Sequence, residues 1–144
     1  MTKRQQIVEI TRSWIGTPYH HQESIKGEGC DCLGLLRGVW REFYGSENPE
    51  PMPNYSPSWG DHRVDDPLMM VAKKYFVEFK GKEPREGDLL LFRMRRGMAV
   101  KHCAIVSGPN TMIHAYSLHQ VREEEITDWW KKKMVGKFKF RGVR

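Results

Sequence analysis

The sequence has only three cysteines among 144 residues, and an odd number excludes a framework in which every cysteine is bridged. Cys30 and Cys32 lie two positions apart, where a bridge between them would be strained. Reduced thiols are the simpler expectation. Long apolar runs are missing too. The longest uninterrupted aliphatic or aromatic stretch is Leu89-Leu90-Leu91-Phe92, and the mean hydropathy is −0.66. A bilayer span needs ~20 apolar residues, so no membrane helix is expected. Met1 to Gln6 holds basic residues with no apolar segment after them, so no signal peptide is expected either. There is no internal repeat or low-complexity tract. Without a zinc-finger, RNA-recognition or glycine-rich phosphate motif, nothing supports nucleic-acid binding. Acids are absent from Lys131 to Arg144, which carries seven basic residues and much of the formal charge of +6. That tail reads as a solvated strand edge, with attraction to a polyanion such as a cell-wall polymer or nucleic acid as the alternative.

What is present suits one compact domain over residues 1–144: 39% of residues are hydrophobic and 29% charged, enough for a real core. Residues 3–14 read as a first helix with Ile7, Ile10 and Trp14 on one face, ended by Gly16-Thr17-Pro18. A polar segment from His20 to Gly29 leads to a second helix, starting at Cys32 and stopping near Gly45. Residues 46–67, rich in Pro, Ser, Asn and Asp, read as a long surface loop that is functional or mobile. Asp65 to Phe79 reads as a short helix. Strands are expected at Leu89–Arg93, Val100–Val106, Thr111–Tyr116, His119–Arg122 and Phe138–Arg141, with a helical turn at Ile126–Lys132 whose Trp129 and Trp130 pack in the core. Helices first and strands after argue an α+β fold.

Cys32 stands out. Leu35, Leu36, Val39, Trp40 and Phe43 follow it at helical spacing, and Asp31 is a good N-cap type, so Cys32 is the first helical residue. There the unpaired N–H groups and the positive end of the helix dipole favour thiolate, while the charge of Asp31 opposes it. A base is therefore required, and His102 and His114 offer one. Their midpoint is Gly108, within the turn signal Ser107-Gly108-Pro109-Asn110. An odd-length loop centred there sets the two imidazoles directly opposite on one sheet face, and an even loop moves one of them to the other face. If the Cys32 helix packs on the face of the imidazoles, the thiol meets His102. His102 then takes the thiol proton, or holds it in a thiolate–imidazolium pair, while His114 fixes its tautomer. N–H groups at the helix start, with the Tyr19 hydroxyl, would hold an oxyanion. Tyr19 reads equally well as a packing residue.

Each of these residues has an ordinary structural reading when taken alone; their combination favours catalysis. Cys30 and Cys103 are expected to be structural, with residue 103 pointing away from 102 into the core. A metal site of Cys30, Cys32, His102 and Cys103 is disfavoured, because Cys-x-Cys lacks zinc spacing and no second pair follows.

Gly16-Thr17-Pro18-Tyr19, Asp31-Cys32-Leu33-Gly34 opening a helix, Glu86-Gly87-Asp88-Leu89 before a strand, His102 heading a strand and Ile113-His114-Ala115 come in the order seen in the NlpC family of cell-wall cysteine peptidases, which the chain resembles from about Ile7 to Phe140. The run Cys-Asp-Cys-Leu-Gly-Leu-Leu-Arg-Gly-Val-Trp resembles the bacteriophage and gene-transfer-agent members. The resemblance implies a papain-like α+β fold, with N-terminal helices packed on an antiparallel sheet. It makes Cys32 the nucleophile, His102 the base, His114 the orienting residue and Tyr19 a tyrosine lining the site. It implies no metal and no organic cofactor. The implied substrate is the peptide of peptidoglycan, cut between D-glutamate and diaminopimelate, and the implied partners are phage-like tail proteins. With no leader expected, the chain would be cytoplasmic as made and carried to the cell wall in a particle. Leu33 departs from the small polar residue usual after the cysteine, and His20-His21 from the aromatic and glycines usual after the tyrosine. The rival expectations are a thiol acyltransferase or hydrolase on the same fold, and a non-catalytic tail component.

Overall fold

The computed structural model describes residues 1–45, 66–116 and 119–144. Most of the expected surface loop, 46–65, lies outside them. Helix α1 spans Lys3–Arg12; Thr2 caps it by accepting from the Gln5 N–H while the Gln5 side chain accepts from the Thr2 N–H. The polar segment forms a small hairpin, β1 (Ser24–Ile25) with β2 (Gly29–Cys30), for which the sequence carries no alternating apolar signal. Helix α2 spans Cys32–Tyr44 and ends at Gly45, whose positive φ of 75° supplies the left-handed cap. Helix α3 (Pro67–Tyr75) opens with proline in its first turn.

The helix expected to run on to Phe79 stops at Tyr75. Phe76–Glu78 is strand β3, whose buried Phe76 pairs with Phe140 and meets the Trp40 ring edge-on. Sheet pairing and aromatic packing override the local helical pattern there. Strands β4 (Leu89–Phe92), β5 (His102–Gly108) and β6 (Thr111–His114) lie near their expected places. Strand β7 is Arg122–Glu125, C-terminal to the expected His119–Arg122. Its acidic run is held in a ladder with β6, and Glu123 is paired with Arg12 of α1 at 2.5 Å. Helix α4 spans Asp128–Lys133, and strand β8 spans Met134–Phe140.

The six strands form one antiparallel sheet in the order β3-β8-β4-β5-β6-β7. The basic C-terminal strand is thus interior to the sheet, not an edge. Its lysines alternate with buried Gly136, Phe138 and Phe140, so charge and core share one strand. Alternation also divides the sheet's two faces. Leu89, Leu91, Cys103, Ile105 and Ile113 join the main core with Ile7 and Trp14, with Leu33, Leu35, Leu36 and Val39 of α2, and with Leu68 and Ala72 of α3. Leu90, Phe92, Ala104, Val106 and Met112 face the other way, under Ile126 and Trp130 of the α4 region. Trp130 is buried as expected; Trp129 is 51% exposed, because adjacent helical residues cannot both face the sheet.

Candidate active site

Asp31 builds the start of α2. Its Oδ1 accepts from the Gly34 N–H at 2.7 Å and its Oδ2 from the Gln22 N–H at 2.8 Å. Backbone donors thus fix the carboxylate at the helix start. Gly34 is obligatory: a Cβ on it would lie 1.8 Å from the Glu23 carbonyl oxygen. That close approach seats the β1 hairpin on the helix, with Ser24 Oγ donating to the Gly34 carbonyl at 2.6 Å. Leu33 is 2% exposed, so its departure from a small polar type places a side chain in the main core.

Cys32 is buried, and its thiol donates to the Lys101 carbonyl at 3.6 Å. Cys103 Sγ donates back to the Cys32 carbonyl at 3.5 Å. The thiol therefore lies against the backbone that enters His102, and the Cys32 backbone meets the side chain that follows it. The route differs from the expected one. Helix α2 packs on the face that carries Cys103 and Ile105, while His102 points to the opposite face among Phe92, Tyr116 and Trp130. Residue 103 does point away from 102 into the core, as expected. The thiol reaches the entrance of β5 around the strand's end instead of across a shared face.

The imidazoles meet, with His102 Nε2 and His114 Nδ1 2.8 Å apart and both rings buried. They are not directly opposed. The turn is the two-residue Pro109-Asn110, closed by Gly108 opposite Thr111. An even loop by itself would send one imidazole through the sheet. A bulge at Ser107 adds one residue to β5, so the register becomes Val106 opposite Met112 and Ile105 opposite Ile113. This restores the parity and leaves the histidines on one face, diagonal by two residues.

Burial pushes the His102 pKa well below 6.5, and the neighbouring His114 adds to the effect. Burial lowers His114 as well, partly opposed by Glu124. Both rings are neutral at neutral pH, which favours a base awaiting a proton over a standing imidazolium. Tyr19 is half-buried, joined to Cys30 by an isolated parallel bridge. Burial first, then Cys32, Asp31 and Cys30, raise its pKa to about 12, so its hydroxyl keeps its proton. Burial likewise raises the thiol of Cys30 to about 12, in keeping with an inert structural cysteine. Among the described residues, no group of three or more His, Cys, Asp or Glu is arranged to hold a metal ion.

Glu124 escaped the sequence reading. Its Oε2 faces His114 Nε2 at 3.4 Å, while its two oxygens accept from Trp130 Nε1 at 3.0 Å and Arg122 Nε at 2.8 Å. The sequence held little to find it by: it is the middle of three consecutive glutamates, and only the register of β7 separates it from its neighbours.

A profile of the NlpC/P60 family matches residues 16–139. The chain belongs to the NlpC/P60 family. It is 25% identical over 131 residues to the gamma-DL-glutamyl hydrolase of Bacillus subtilis, covering 90% of this chain and 28% of that protein. It is 26% identical to the murein DD-endopeptidase MepS/murein LD-carboxypeptidase of Escherichia coli K12, over 90% of this chain and 59% of that one. It thus spans less than two thirds of either relative. The NlpC/P60 fold is shared with the NlpC/p60 domain of the peptidoglycan hydrolase SagA, at TM-score 0.67 and 20% identity over 95% of this chain and 98% of that one. It is also shared with RipD of Mycobacterium tuberculosis, described as a non-catalytic NlpC/p60 domain protein adapted to peptidoglycan binding, at TM-score 0.64 and 14% identity over 99% of both chains. The papain-like α+β arrangement of helices on an antiparallel sheet is therefore that of the NlpC/P60 proteins.

Proposed function

We propose that this chain is a cysteine peptidase that hydrolyses amide bonds in peptidoglycan stem peptides. The observation that carries the reading is the buried His102–His114 pair on β5 and β6, with a helix-initiating thiol held against the backbone that enters His102. Cys32 attacks the amide carbonyl as His102 takes its proton. The oxyanion is met by N–H groups at the start of α2 and by the protonated Tyr19 hydroxyl. His102 then gives its proton to the leaving amine, and water, activated in turn by His102, cleaves the thioester and frees the thiol. His114 holds the base in orientation. Positioned proton transfer of this kind contributes ~10²–10⁴ in rate.

The finer reading is cleavage between D-glutamate and diaminopimelate, at the cell wall, by a protein carried in a phage-like tail or gene-transfer agent. The support for the bond is the resemblance to the NlpC family, and the support for the carrier is the resemblance of the segment around Cys32 to bacteriophage and gene-transfer-agent members. A second reading, a domain that binds wall peptides without cutting them, draws on the resting hydrogen bond of the Cys32 thiol to a carbonyl and on the separation of α2 and the imidazoles by the sheet. Digestion of purified murein by the wild type and by Cys32→Ser, read by mass spectrometry, separates them. We expect new free amino termini with the wild type and a loss of at least ~10²-fold in the variant. Equal product from both overturns the peptidase reading.

A further inference from the structure

The geometry points to Glu124 as a positioning residue that sets the tautomers of both imidazoles, and through them the ring nitrogen that His102 offers to the thiol. Its catalytic consequence rests on the peptidase reading; the placement of the protons does not.

The argument runs along one chain of atoms. His114 Nε2 is buried and has no well-aligned hydrogen-bond partner among the described residues; the group facing it is Glu124 Oε2 at 3.4 Å. A carboxylate can only accept, so the nitrogen facing it carries the proton. A neutral imidazole has one N–H, which leaves His114 Nδ1 bare. That bare nitrogen lies 2.8 Å from His102 Nε2, which must then be the donor. His102 is therefore left with its lone pair on Nδ1, the position from which it can accept the proton of Cys32.

The carboxylate is fixed for this task. Trp130 Nε1 holds one oxygen and Arg122 Nε the other, so it cannot turn away without losing a bond. Trp130 also packs its ring against both imidazoles, with centroids 5.4 Å from His102 and 5.2 Å from His114. The groups facing His114 are thus Glu124, Arg122, His119, His102, Tyr116 and Trp130. Glu124 is the one anion among them. Arg122 and His119 disfavour a positive charge on His114, and Glu124 offsets them. When His102 gains the thiol proton, Glu124 stabilises the new cation through the polarised N–H of His114.

Glutamine at 124 breaks this logic. Trp130 and Arg122 both need an acceptor there, and an amide has one oxygen. Buried Trp130 keeps the oxygen, while half-exposed Arg122 can turn to water, so the amide nitrogen takes the place of Oε2, donates to His114 Nε2, moves that ring's proton to Nδ1 and obliges His102 to present its lone pair at Nε2. The full chain labelled with ¹⁵N-histidine, in wild-type and Glu124→Gln forms, tests this by long-range ¹H–¹⁵N spectra. We expect Nε2–H on both rings in the wild type and a shift to Nδ1–H on one or both in the variant. Where murein peptides are turned over, kcat should fall about 10²-fold with KM within about twofold, the lower end of what positioned acid–base catalysis contributes. Nδ1–H on His114 in the wild type, or unchanged tautomers in a folded variant, overturns the inference. If Glu124→Gln does not fold, the wild-type spectrum alone decides. A tautomer shift in a protein without turnover upholds the role of Glu124 and removes only the peptidase reading.

Discussion

At neutral pH His102 and His114 are two buried neutral bases, and that has a thermodynamic consequence. In the unfolded chain each takes a proton near pH 6.5, while burial in the folded chain lowers both. Below about pH 6.5 the unfolded state therefore binds more protons, and stability falls as the pH falls. Each group that resists protonation contributes at most about 1.4 kcal/mol per pH unit. We expect the urea midpoint to drop between pH 7.5 and pH 5.5, and the slope to flatten in the double variant His102→Gln, His114→Gln; circular dichroism titrations check both. Glu123 and Glu124 act further down. Burial raises each, but hydrogen bonds and nearby positive groups outweigh it and lower both carboxyls, so their contribution is lost only below about pH 4.5. The sequence marked Cys32, His102, His114 and Tyr19 because each sits in a recognisable local pattern: a capped helix start, two strands about one glycine, a proline turn. Glu124 had no such pattern, since its role comes from which face of β7 it occupies.

Gly38 of α2 meets Trp14, in the turn just past the end of α1. A Cβ at residue 38 would lie 2.0 Å from Trp14 Cζ2. Trp14 is 2% exposed and its Nε1 donates to Glu42 at 2.7 Å, so the ring cannot swing out. Alanine in mid-helix favours helix by about 1 kcal/mol over glycine, and overpacking costs about 1–3 kcal/mol. Gly38→Ala should therefore lower the thermal midpoint despite its better helix propensity, and an unchanged or raised midpoint would show that Trp14 yields. At this scale the legible elements were those with punctuation of their own. Asp31 and Gly45 bracket α2, and Pro84 to Asp88 announces β4. Strand β3 was illegible because Phe76-Val77-Glu78 continues a helical pattern and becomes a strand only against Phe140. The histidine hairpin was half legible. The shared face was expected, but the two-residue turn and the compensating bulge at Ser107 are joint properties of both strands, which no local signal specifies.

Across the molecule, Arg4 ties α1 to the sheet. Its Nη1 donates to Asp88 Oδ1 at 2.7 Å and to the Glu86 carbonyl at 2.9 Å, and its Nε to the Arg144 carbonyl. Asp88 is 1% exposed, so Arg4→Ala leaves a carboxylate buried without its cation. A loss of about 3–5 kcal/mol is expected from urea unfolding; a loss below about 1 kcal/mol would mean that water enters to replace the guanidinium. Such long-range ties, and the face on which α2 lands, lie beyond pattern reading, because both sheet faces offer apolar residues of similar size: Leu89 and Leu91 on one, Leu90 and Phe92 on the other. The landing has a consequence of its own. Sulfur and nitrogen are rooted in separate hydrophobic neighbourhoods on the two sides of one sheet and come together only at the end of a strand, so the packing of one does not depend on the other. A variant without the thiol should keep its rings packed, and one without the rings should keep its helix seated, so either can change its chemistry without losing its shape.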